Sequence, residues 1–174
     1  KQLTLSINVS ASQILDDGFE NLVRDTLAAT GANARHLILE MTESVLVTET
    51  ETVVAKLTAL QALGITIALD DFGTGYSSLA YLRSLPIQQI KIDRGFVKDM
   101  LDDPRSASLI KNVVQIGRDL GQLVLAEGVE TPEQQALLAQ VGCMQFQGYF
   151  HGRPMEPVDF EARIAAEMNR ARTG

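Results

Sequence analysis

Residues 69–79 read LDDFGTGYSSL, from Leu69 through Asp70 and Asp71 to Leu79. The apolar run just before the acids, residues 65–69 (ITIAL), is short and partly β-branched, as a buried strand is. Two adjacent carboxylates close that run. Gly73 and Gly75 follow, then a hydroxyl-rich segment. In parallel α/β folds the carboxyl ends of the strands carry the chemistry. The meaning of Asp70 and Asp71 therefore depends on whether strands and helices alternate on either side of them.

They do. Residues 3–9 (LTLSINV) alternate apolar and polar, as a strand does. Residues 12–30 set Ile14, Leu15, Phe19, Leu22, Val23 and Leu27 on one helical stripe, and Gly31 stops it. Residues 36–41 (HLILEM) predict a buried strand. Residues 50–63 repeat Val53, Val54, Leu57, Leu60 and Leu63 at helical spacing before Gly64. Residues 77–85 predict a short helix ended near Pro86, and residues 89–92 (QIKI) a short strand. Pro104 opens a helix that runs to residue 120, with Gly121 after it. Residues 122–126 (QLVLA) are strand. Thr131, Pro132, Glu133 and Gln134 form a capping box with proline at the first helical position. Residues 143–150 hold another strand, and a last helix follows Pro157.

Strand and helix alternate about six times, which predicts a parallel sheet with crossover helices. An open doubly wound sheet and a TIM-like barrel both satisfy the pattern. A complete barrel takes roughly 250 residues, and 174 residues fall short of that by about two strand–helix units.

Composition narrows the class. Hydrophobic residues make up 45% and charged residues 21%, enough for a sizeable core in an ordinary globular chain. The formal net charge is −7, from 15 Lys+Arg and 22 Asp+Glu. Duplex nucleic acid is met by a basic face, so it is not the expected partner. A phosphate ester bound by so acidic a chain requires metal ions to supply positive charge. No apolar run reaches the length of a transmembrane helix, so no membrane contact is expected from this segment. The single cysteine, Cys143, cannot form an internal disulfide, and a cytoplasmic location is expected.

Each predicted strand delivers a polar residue to the same end: Asn8, Glu40, the pair Asp70 and Asp71, Lys91 with Asp93, Glu127, and Gln147. Taken singly, such a residue is an N-cap, an Asx-turn or half of an ion pair. As a set they say more. Adjacent acids at the end of ITIAL are costly unless a cation compensates them. Four carboxylates and an amide oxygen are hard ligands suited to Mg²⁺ or Mn²⁺. His36 and His151 lack the spacing of a zinc site. Neighbouring aspartates can bridge two ions, the arrangement used on phosphodiesters. Lys91 would then hold the water or a phosphate oxygen, or pair with Asp71 or Asp93. Asp71-Phe72-Gly73 spells a kinase motif, but no kinase-like lysine strand or catalytic loop precedes it.

The chain resembles the EAL-domain family, the bacterial cyclic di-GMP phosphodiesterases. The likeness runs over essentially all 174 residues, through SINVSASQ, LEMTES, DDFGTGYSSLAYL, IKIDRGFV, LAEGVET and QFQGYFHGRP. It implies an α/β fold, a modified TIM barrel with one antiparallel strand. It implies metal ligands at Asn8, Glu40 and Asp70. Asp71 and Glu127 match positions serving a second metal and the catalytic water, and Lys91 matches the lysine that contacts that water. Gln147 matches the active-site glutamine, and Asp93 stands with it on the substrate side. Glu43 matches a glutamate that holds the DDFGTGYSS loop. The implied reaction opens one phosphodiester bond of cyclic di-GMP to give linear pGpG, with two Mg²⁺ or Mn²⁺ ions.

The Glu-Ala-Leu segment that names the family is not among these residues. The resemblance places it on a strand before SINVS, where its glutamate is a metal ligand. The expectation is one EAL-type domain over residues 1–174 lacking its N-terminal part. Its barrel is incomplete by the first strand and the elements following it, and its activity impaired. Open strand edges invite pairing, so a homodimer or other self-association is expected. Upstream sensory or GGDEF domains are expected in the parent protein. The alternative to an enzyme is a catalytically inactive cyclic di-GMP-binding or dimerisation module. Unsubstituted acids favour the enzyme.

Overall fold

The computed structural model describes residues 3–43, 50–73 and 79–173. Six strands form one sheet: β1 (Leu5–Asn8), β2 (Leu37–Thr42), β3 (Thr66–Phe72), β4 (Gln89–Ile92), β5 (Leu123–Ala126) and β6 (Gln145–Phe146). Their order in space is their order in the chain, and every pairing is parallel. A doubly wound sheet reverses its order at a switch point. This sheet never does, so each crossover advances the same way and the strands curl as part of a TIM-like barrel. Among the described residues β1 and β6 each have a strand on one side only.

The helices between the strands are α1 (Ala11–Leu15), α2 (Phe19–Thr30), α3 (Thr50–Ala62), α4 (Leu79–Ser84), α5 (Arg94–Asp99), α6 (Pro104–Leu120) and α7 (Pro132–Gln140), with α8 (Pro157–Thr173) at the end. Several boundaries follow local chemistry read from the sequence. Asp103 caps α6 ahead of Pro104, and Gly121 ends it in a left-handed conformation. Thr131 and Gln134 exchange both bonds of the capping box at α7.

Three expectations change. The single helix over residues 12–30 is broken into α1 and α2. Ser10 and Gln13 close a capping box on α1. Asp16 then turns extended and accepts a hydrogen bond from the Gly18 amide at 2.7 Å. From α3, the Lys56 ammonium donates to the carbonyls of Leu15 (2.7 Å) and Asp16 (3.0 Å) and to Asp17 Oδ1 (2.9 Å). A cation on the last carbonyls makes the break a stable helix end. Leu22, assigned to the apolar stripe, is exposed. α5 was not expected: Asp93 caps it by accepting from the Gly95 amide at 2.9 Å. Finally, β3 does not stop at Leu69 but continues through both acids to Phe72.

The core lies between the sheet and its helices. Met41, Ile67, Leu69, Ile90 and Ile92 meet Val53, Leu57, Leu60, Leu82, Ile110 and Leu138, all essentially inaccessible. Each such side chain contributes about 2 kcal/mol by burial. The opposite face of the same strands carries Glu40, Gln89 and Lys91, also buried. Strand alternation thus puts the hydrocarbon against the helices and the polar residues inside the curve of the sheet. On β1 the sheet loses its cover: Leu5 and Ile7 are 63% and 43% exposed. No described helix is long and apolar enough to cross a membrane.

Candidate active site

Parallel register brings the strand ends level. Asn8 on β1 stands beside Glu40 on β2, and the Val9 amide donates to the Glu40 carbonyl at 2.8 Å. Thr42 on β2 stands beside Asp70 on β3. Between β3 and β4 the register slips: Leu69 pairs with Ile90 and Phe72 with Ile92. Asp70 and Asp71 together therefore oppose Lys91 alone, which is a β-bulge. Asp71 takes a left-handed φ of 54°, uncommon for a residue with a side chain. In a regular strand, adjacent side chains point to opposite faces. The bulge removes that constraint, and the carboxylate oxygens of Asp70, Asp71 and Glu127 come within 4.8 Å of one another.

Lys91 is the hub. Its ammonium lies 2.5 Å from Glu40 Oε2, 2.7 Å from Glu127 Oε1 and 3.0 Å from Asp70 Oδ1. The residue is 3% exposed. Burial pulls its pKa down, but the hydrogen bonds to Glu127, Glu40 and Asp70 outweigh that and hold it above the ordinary lysine value. The sequence offered Asp71 or Asp93 as its ion-pair partners; the close pairs are Glu40, Asp70 and Glu127.

Burial raises the Glu127 carboxyl above the ordinary glutamate range, against the pull of Lys91. Asp71 is also raised, first by burial and then by the charges of Asp70 and Asp93. Asp93 does two jobs: it caps α5 and hydrogen-bonds the Asp71 side chain. Glu43 follows β2, partly buried. Residues 74–78 of the loop that the resemblance has it hold, Tyr76 included, lie outside the described residues.

The ladder runs past the assigned ends of β5 and β6. The Glu127 amide donates to the Ile92 carbonyl at 3.2 Å, the Gln147 amide to the Ala126 carbonyl at 2.8 Å, and the Val129 amide to the Gln147 carbonyl at 3.0 Å. Glu127 and Gln147 each precede a glycine. A Cβ on Gly128 would lie 2.6 Å from the Arg94 Cβ, and one on Gly148 would lie 2.3 Å from the Val129 backbone nitrogen. These close approaches lock the turns after β4, β5 and β6 together and place Glu127 and Gln147. Sequence reasoning passed over both glycines, although the repeated Glu-Gly and Gln-Gly pairs were a usable signal.

One more contact was missed. Deeper in the curve, Gln89 Nε2 donates to Gln145 Oε1 at 2.8 Å, linking β4 to β6 across β5. Gln147 lines a cavity of about 540 Å³ with Tyr149, Arg153, Met155 and Phe160. The Arg153 guanidinium lies 4.3 Å over the Tyr149 ring.

The donor set fits hard divalent cations: clustered carboxylate oxygens, a nearby amide at Asn8, and no thiol or imidazole in the group.

Comparison with known proteins points the same way. Residues 1–154 match the family model described as the EAL domain. The bifunctional diguanylate cyclase/cyclic di-GMP phosphodiesterase MucR of Pseudomonas aeruginosa is 41% identical over 161 residues, which is 92% of this chain and 24% of MucR. The chain thus spans about a quarter of that relative. Among solved structures, the MucR phosphodiesterase in complex with c-di-GMP aligns with a TM-score of 0.86 at 41% identity, over 90% of this chain and 64% of that one. BlrP1 of Klebsiella pneumoniae, in its manganese and cy-diGMP complex, aligns with a TM-score of 0.81 at 34% identity, over 88% of this chain and 39% of that one.

Proposed function

The chain belongs to the EAL-domain family, and from that premise we propose that its carboxylate face hydrolyses cyclic di-GMP to linear pGpG. The observation that carries the reading is the bulge at Asp70 and Asp71, which sets two adjacent carboxylates with Glu127 around one point. The name of MucR and the c-di-GMP and manganese complexes of MucR and BlrP1 supply the substrate class and a metal.

Asn8, Glu40, Asp70, Asp71 and Glu127 are the residues proposed to hold Mg²⁺ or Mn²⁺. When bound, two such ions supply an activated water and charge stabilisation for in-line displacement at phosphorus. Lys91 is proposed to place its ammonium against the water or a phosphate oxygen. Its burial keeps it aimed along the strand-end face. Glu127 and Asp71, held above their ordinary ranges, are the groups proposed to manage the proton lost by water. Gln147, which lines the cavity with Tyr149 and Arg153, is proposed to contact the substrate, with Asp93 hydrogen-bonded to Asp71. Glu43 is proposed to steady the loop after β3. We further propose self-association through the open β1 edge. Companion diguanylate-cyclase or sensory domains accord with the two activities in MucR's name.

The test is chromatography of cyclic di-GMP incubated with the protein and Mn²⁺, then with EDTA. Production of pGpG that EDTA abolishes is the expected result, and Glu127→Gln should lower the rate by a factor on the order of 100 or more. Tight binding of intact cyclic di-GMP with no turnover would make the domain a receptor instead.

A further inference from the structure

Glu40, Asp70, Asp71 and Glu127 bring four negative charges to one partly buried face, and the Lys91 ammonium sits among them. Its three ion pairs use Glu40, Asp70 and Glu127. Two of these, Asp70 and Glu127, also belong to the clustered carboxylate set. A carboxylate paired with the ammonium cannot also give a divalent ion its full charge. We propose that Lys91 is a resident counter-cation: it holds the carboxylate face together without metal, and a divalent ion has to displace it from Asp70 and Glu127 to bind.

The inference rests on the metal-dependent reading above and adds a sign to it. A lysine that only orients water leaves metal affinity unchanged or improves it by ordering the site. A lysine that competes weakens metal binding and stabilises the metal-free fold. Without it, the clustered carboxylates repel one another with no cation among them. The packing supports the second role. Lys91 sits on central strand β4 and reaches β2, β3 and the turn after β5, so its ammonium ties four consecutive strand ends.

The test uses Mn²⁺ alone, by calorimetric titration and thermal melts on the EDTA-treated protein, in wild type, Lys91→Met and Lys91→Arg. Lys91→Met is expected to melt lower without metal, to gain more Tm from Mn²⁺, and to bind Mn²⁺ about tenfold tighter or better. Lys91→Arg keeps the charge and should stay near wild type. If Lys91→Met is unfolded without metal, the proposal requires Mn²⁺ to restore the folded signal; failure to do so overturns it. Unchanged or weaker Mn²⁺ binding by folded Lys91→Met overturns it, as does equal tightening in both variants. If no form binds Mn²⁺, the metal-dependent reading itself falls, an outcome distinct from the others.

Discussion

Asp71 is the residue on which the site turns. Its φ of 54° and its place in the bulge let it share a face with Asp70, and its carboxyl is raised by burial and by Asp70 and Asp93. A carboxyl whose folded pKa lies above its unfolded value binds its proton more tightly when folded. Its stabilising contribution is full below pH 3.8 and is lost as pH rises through the folded value. Glu127 adds the same sign from 4.5 upward. In the metal-free protein, Asp71→Asn is therefore expected to flatten the decline of Tm between pH 4 and pH 7, as order-of-magnitude bounds on that window. Thermal melts across that range check it; an unchanged slope would show that Asp71 ionises freely. Asn also tolerates the left-handed backbone, so the bulge should survive the substitution.

At the scale of elements, two contacts across the chain define how loops and helices sit. Lys56 fastens the end of α1 and the turn into α2 from α3. Lys56→Met keeps much of the stem and removes the donors, so a loss of about 1–2 kcal/mol in urea unfolding is expected, with little change in metal affinity. Gly148 answers a different need. Any Cβ there meets the Val129 backbone. Gly148→Ala is expected to cost about 1–3 kcal/mol in stability and, by moving Gln147, to raise KM for cyclic di-GMP more than it lowers kcat. A stability loss with KM unchanged would make Gly148 a packing glycine only. These effects show what the sequence made legible. The capping boxes, the Pro104 start and the Gly31 and Gly121 stops were readable because cap chemistry is local. The break at Asp16 was not, because a distant lysine stabilises it. α5 was hidden because Asp93 read as site chemistry, whereas its carboxylate also caps a helix.

At the scale of the molecule, the sheet curls but, among the described residues, leaves β1 with a partner on one side only and with Leu5 and Ile7 exposed on its outer face. Backbone groups and apolar side chains on one open edge favour association. Light scattering at micromolar concentration is expected to show a dimer or larger species, and Leu5→Lys with Ile7→Lys to shift it toward monomer. A monomer in the unsubstituted protein would remove self-association from the account.

What the sequence determined by itself was the alternation of strands and helices, the residues at the strand ends, and the hard-ligand chemistry they share. Those follow from periodicity and side-chain type, which are local properties. The tertiary structure decided three further things. Sequential strand order chose a curled, barrel-like sheet over a doubly wound one, because periodicity says nothing about which strand lies beside which. A register slip between β3 and β4 brought Asp70 and Asp71 together, because a bulge is a property of a strand pair and not of either strand. And Lys91 took Glu40, Asp70 and Glu127 as partners, because charges on four separate segments meet only when the sheet has formed.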